Sequence, residues 1–130
     1  MKILVVDDEQ KIANTLAERL KLRGLETRTA YYGKSALSIL KREAFDGMVL
    51  DLRLPDIDGI DILRHTIKAF PAMRVVILSA HGSDADFMTC LEIGAIACFQ
   101  KPAKINNLIE ALSKSRKMNE SNIPEIHRSV

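Results

Sequence analysis

Three things are scarce in this chain of 130 residues. Its only cysteines, Cys90 and Cys98, are too few for a disulfide framework, so reduced thiols of a cytoplasmic protein are expected. No apolar run approaches the roughly 20 residues that cross a bilayer, which argues against a transmembrane helix. The N-terminus reaches Asp7 and Asp8 after a four-residue apolar run, too short for a signal peptide. An excess of one charge is also missing. Of 19 Lys+Arg and 17 Asp+Glu, the tail from Ser113 holds four and two, which leaves 15 of each in the body. So small a surplus reads as a solvated helix end running into a linker, not as a nucleic-acid surface. Internal repeats and low-complexity segments are absent as well.

What is present is a soluble, globular composition, 47% hydrophobic and 28% charged, at the length of one domain. Strand and helix patterns alternate five times. Ile3 to Val6, Met48 to Asp51 and Val75 to Leu78 are short apolar runs that read as buried strands. Glu26 to Ala30 alternates in polarity, as a strand nearer the sheet edge does, and Ala97 to Gln100 makes a short fifth strand. Between them lie helical stripes: Ile12, Leu16 and Leu20 ending at Gly24; Ala36, Leu37, Ile39 and Leu40; Ile60, Leu63 and Ile67, with Asp58 as N-cap; then a helix through Ile93. Ser83 with Asp86 predicts a capping box for that fourth helix, and Ile105, Leu108, Ile109 and Leu112 mark the last. Alternating βα units of this length imply a parallel sheet covered on both faces. Residues 118–130 lose periodicity and read as a flexible tail or the start of a linker.

The informative residues stand where the strands end. In open α/β sheets the carboxyl ends of the strands meet at the ligand-binding edge. Asp7, Asp8 and Asp51 would gather there with Ser79 and Lys101. Three ionised carboxylates within a few ångströms repel, so either one protonates or a cation sits among them. An all-oxygen set of this kind suits a hard divalent ion, and Mg²⁺ is expected. Asp51, ending a central strand, is the acid held most rigidly. A carboxylate can act as the nucleophile of phosphoryl transfer, with Ser79 donating a hydrogen bond to a phosphoryl oxygen and the Lys101 ammonium neutralising charge.

On Asp7-Asp8, the run Asp51-Leu-Arg-Leu-Pro-Asp-Ile-Asp-Gly59, Ser79-Ala80, and Gly94-Ala95 followed by Lys101-Pro102, the chain resembles a response-regulator receiver domain of two-component systems. The resemblance runs from Lys2 to about Lys117 and implies a receiver domain over residues 1–117. It implies a flavodoxin-like, doubly wound (βα)₅ fold with five parallel strands in the order 2-1-3-4-5. It implies phosphate transfer to Asp51 from a sensor histidine kinase or a phosphotransfer protein. It also implies Mg²⁺ on Asp8, Asp51 and the backbone carbonyl of Arg53, with Asp7 acting partly through water. Ser79 then senses the phosphoryl group and Lys101 pairs with it. Output passes to a further domain or protein, or to a phosphorylation-dependent homodimer, through the face of the fourth helix, fifth strand and last helix. Such a domain is a regulator that catalyses only its own phosphotransfer and dephosphorylation, with no direct nucleic-acid or membrane binding, and the link to transcriptional activators is by analogy.

The sequence departs from the family pattern at three places. Cys98 stands where an aromatic usually moves with the hydroxyl residue, Ala103 replaces an aromatic after Lys-Pro, and Lys104 replaces the usual Asp cap. An interaction module with weakened switching is therefore the alternative. A phosphatase using an aspartyl nucleophile would need an acid two residues after Asp51, where Arg53 stands and cannot deprotonate. A flavodoxin-like cofactor carrier would need a phosphate-cradling loop after the first strand, where two acids repel phosphate.

Overall fold

The computed structural model describes residues 1–114 and 125–127. In chain order the elements are β1 (Lys2–Val6), α1 (Gln10–Leu22), β2 (Glu26–Ala30), α2 (Gly33–Arg42), β3 (Gly47–Leu50) and α3 (Gly59–Ala69). They continue with β4 (Arg74–Ser79), α4 (Asp84–Ile93), β5 (Ala97–Gln100), α5 (Ile105–Leu112) and β6 (Glu125–His127). All strand pairs are parallel, in the order β2-β1-β3-β4-β5-β6. The flavodoxin-like order of the first five strands is the expected one. The five-strand count is corrected: β6 adds a sixth strand to the outer edge of β5. It lies inside the segment read as tail, whose other residues are outside those described.

Successive side chains on a strand point to opposite faces, and here both faces are buried. Leu4, Val6, Met48, Leu50, Val75 and Ile77 enter one core with residues of α2, α3 and α4. Ile3, Val5, Val49, Val76, Leu78 and Phe99 enter a second core with residues of α1 and α5. That is why the strands read as unbroken apolar runs rather than alternating ones. The result is a three-layer stack that holds the strand ends rigidly from both sides.

Helix starts are set by named side chains. The Ser83–Asp86 capping box is formed in both directions, at 3.1 and 3.2 Å. Asp58 accepts from Ile60 N–H at 2.9 Å and opens α3. Gly59 follows because a Cβ there would lie 2.5 Å from Leu52 Cα and 2.7 Å from the Asp51 carbonyl. The start of α5 carries no side-chain cap, as expected from Lys104.

The cap of α2 comes from a distant residue. Asp56, in the loop before α3, accepts from Gly33 N–H at 2.8 Å and from Lys34 N–H at 2.9 Å. The Lys34 and Gly33 N–H groups outweigh desolvation and lower the Asp56 pKa below the ordinary carboxylate value. A depressed carboxylate pKa contributes stability above the unfolded pKa and loses it as pH falls through the folded one. Asp56→Ala is thus expected to cost about 1 kcal/mol at neutral pH, as loss of an N-cap does. In denaturant titrations the difference from the parent chain should shrink as acid protonates Asp56.

Candidate functional site

Each site residue is carried to the carboxyl edge of the sheet by its strand. Asp7 follows β1 and is tied there by its N–H to the Ala30 carbonyl at 3.1 Å. Asp51 follows β3, with its N–H on the Val6 carbonyl at 3.0 Å. Ser79 ends β4, and Lys101 follows β5 with its N–H on the Ser79 carbonyl at 3.1 Å. Backbone ladders one residue from the functional groups therefore set the pocket's dimensions.

Asp7, Asp8 and Asp51 each present an oxygen within 4.8 Å of the other two. Asp7 and Asp51 are buried and Asp8 is exposed at the rim. The Lys101 ammonium lies between the buried pair, 2.6 Å from Asp7 Oδ2 and 3.3 Å from Asp51 Oδ2, with Glu9 Oε1 at 3.6 Å. The remaining oxygens of the pair accept backbone N–H groups, Asp7 Oδ1 from Glu9 at 2.9 Å and Asp51 Oδ1 from Arg53 at 3.3 Å. Ser79 is fully buried, and its Oγ accepts the His81 N–H at 3.3 Å. Arg53 is exposed, and its backbone N–H makes the contact to Asp51.

The electrostatics follow from this crowding. Burial pushes the Asp7 pKa upward, the Lys101 hydrogen bond and Glu9 N–H pull it down, and the like charge of Asp51 adds to the rise; the net is above the ordinary value. Burial also opposes the Lys101 charge, but the two carboxylates outweigh it and raise the ammonium pKa. One ammonium thus shares the pocket with four acids, Asp7, Asp8, Glu9 and Asp51, so acidic groups outnumber the cation. Three carboxylate oxygens at this spacing, with a backbone turn beside them, fit a small hard cation that keeps some of its water.

Cys98 is fully buried, with its thiol 3.6 Å from the Phe87 carbonyl of α4. Phe99 faces the opposite core and stacks on His127 of β6, with ring centroids 4.3 Å apart. The aromatic ring is therefore on the α5 side of the sheet and not on the α4 side, where Cys98 sits. Cys90 and Cys98 are both free thiols. Two residues of the neighbourhood escaped the sequence reading: Glu9, which only its distance to Lys101 reveals, and Phe87, whose ring fills the space above Gly82. Among the described residues no helix is long and apolar enough to cross a membrane.

Comparison with known proteins gives a consistent result. Residues 3–113 match the response regulator receiver domain family. Over 103 residues the chain is 42% identical to regulatory protein VanRc of Enterococcus gallinarum, covering 78% of this chain and 43% of the relative. It is 35% identical to sporulation initiation phosphotransferase F of Bacillus subtilis (strain 168), covering 87% of this chain and 91% of that protein. A solved response regulator from Burkholderia pseudomallei, with a phosphorylated aspartic acid, a calcium ion and citrate, superposes with a TM-score of 0.82 at 29% identity. That match covers 87% of this chain and 66% of the solved one. The chain thus spans less than half of VanRc.

Proposed function

Because the chain belongs to the response regulator receiver domain family of two-component signalling, we propose that it is a cytoplasmic switch whose phosphoacceptor is Asp51. The observation that carries this reading is the placement of a buried carboxylate at a central strand end, 3.3 Å from an ammonium and beside two further acids. A carboxylate oxygen of Asp51 attacks the phosphorus of a histidine kinase's or phosphotransfer protein's phosphohistidine. The P–N bond breaks and its electron pair stays on the imidazole nitrogen. Lys101 neutralises charge on the transferred group, and the buried Ser79 hydroxyl turns from the His81 N–H to donate to a phosphoryl oxygen. Asp8, Asp51 and the Arg53 backbone carbonyl would hold Mg²⁺, with Asp7 assisting, and the ion would supply further charge neutralisation. Output leaves through the α4–β5–α5 face, to an output domain, a downstream protein or a second copy.

Cys98 favours a second reading, a receiver-like interaction module with weakened switching, since the β5 residue that faces the α4 side is a cysteine and carries no ring to follow Ser79. Phosphorylation with no change in partner binding would favour it. The first reading is tested by intact mass after incubation with Mg²⁺ and acetyl phosphate. One added phosphoryl mass is expected, and none when the metal is chelated; no addition under either condition overturns the assignment.

Arg53 and His81, both exposed and two residues beyond Asp51 and Ser79, flank the mouth of the pocket. They set the lifetime of the phosphate by limiting the attacking water. Arg53→Ala and His81→Ala should change the dephosphorylation rate several-fold, followed by loss of phosphoryl mass with time. An unaltered rate in both variants removes that role.

A further inference from the structure

We propose that Glu125–His127 is a strap on the outer edge of the sheet, held to β5 when Asp51 is unmodified and loosened when it carries phosphate. This rests on the receiver reading above. The strap pairs Glu125 with Ala97, Ile126 with Cys98 and His127 with Phe99. Ile126 and His127 face opposite sides, as successive strand residues do. Ile126 is partly buried against the α2–α3–α4 core, beside Cys98, and His127 lies over Phe99 with the rings 9° from parallel. The face through which output is proposed to leave therefore has its central strand edge already occupied by the chain's own segment. A partner that reaches the β5 edge must displace it.

The connection to the pocket runs along β5. Phe99 and Lys101 are two residues apart, and the Lys101 N–H is bound to the Ser79 carbonyl. Both groups that engage the phosphoryl group thus hang on the adjoining ends of β4 and β5. When Ser79 and Lys101 move to that group, β5 is drawn toward the pocket and shears against its neighbours. The ladders to β4 and to β6 differ in what backs them. β4 is buried on both faces, whereas β6 is three residues at the edge of the sheet, with Ile126 and His127 only partly buried. Short edge elements with few buried contacts open first, so the strap gives way while the rest of the sheet holds. In this chain Phe99, on the opposite face from the usual position at Cys98, becomes the ring that reports on the pocket.

Amide hydrogen exchange read by mass spectrometry on the full chain tests this, with peptides covering residues 97–100 and 125–127. In the untreated chain both should be protected. After Mg²⁺ and acetyl phosphate, with phosphorylation verified by mass, exchange in both should rise about tenfold or more. His127→Ala should exchange fast at these peptides before phosphorylation and still take up the phosphoryl mass. Equal exchange in the phosphorylated and untreated chains, or no effect of His127→Ala and of Ile126→Pro, overturns the strap. Absence of phosphoryl mass overturns the receiver reading and the coupling with it, while the two variants still judge the strap itself.

Discussion

Asp51→Asn is expected to abolish uptake of phosphate from acetyl phosphate, slowing incorporation by well over the roughly 10²-fold that misplacing a reacting group by about 1 Å costs. The substitution preserves shape and removes the nucleophile. It leaves Asp7 and Asp8 in place, so the pocket keeps two acids and its lysine. Competition among the three carboxylates is decided by how each is engaged. Asp7 holds the short 2.6 Å contact to Lys101 and the 2.9 Å N–H of Glu9, while both contacts of Asp51 are 3.3 Å. Asp8 is exposed and lies off the strand end. Asp51 is therefore the buried acid whose oxygens are least committed. Intact mass and a peptide map decide the matter: a phosphoryl group persisting in Asp51→Asn, on any carboxylate, would refute the assignment.

The largest expected loss of stability is at Phe87. The ring is fully buried, lies against the backbone of Gly82 and sits one turn from Cys90, while its carbonyl receives the Cys98 thiol. A Cβ at Gly82 would come within 2.0 Å of the ring, so glycine and phenylalanine are matched across the loop that follows β4. Phe87→Ala should cost about 3–5 kcal/mol, the usual range for emptying a buried aromatic site. Chemical denaturation reads this directly. The loop from Ala80 to Ser83 loses its platform, and it carries the His81 N–H that Ser79 accepts. The surviving folded protein should therefore phosphorylate with altered kinetics. A change below about 1 kcal/mol, the usual size for an ordinary point mutation, would mean that the core refills the site.

Much of this is legible in the sequence, and for identifiable reasons. Three strands stand out as apolar runs because both of their faces are buried, β2 shows the alternation of a strand nearer the edge, and the acids are conspicuous because they end those runs. The Ser83–Asp86 box and the Asp58 cap are local, so four residues of sequence at most suffice to read them. Strand limits moved by a residue: Asp51 lies just past β3, which ends at Leu50, and Arg74 and Ser79 join β4. Beside Glu9 and Phe87, two further features not legible in the sequence are long-range. Asp56 caps a helix that begins 23 residues earlier, and no spacing rule connects the two. The sixth strand has three residues after a proline in a polar segment, too short for any periodicity to show. Its pairing depends on a free edge at β5, which only the assembled sheet supplies. Cys98 stands out in the sequence as a departure from the family pattern, and strand parity then puts the neighbouring Phe99 ring on the opposite face.

That parity has a consequence for how the chain finds its alignment. Slipping a strand by one residue normally turns its greasy side to water, and the penalty enforces the correct match. Here Ile3 and Val5 serve one core while Leu4 and Val6 serve the other, so a slip exchanges aliphatic for aliphatic. Oil alone barely distinguishes the two alignments. The polar residues do: a shift of β3 by one position would carry Asp51 away from Lys101 and thrust a carboxylate toward an apolar layer. The pocket thus serves as the index mark by which the strands are counted into place, and the chemistry that defines the protein's task also helps define its shape.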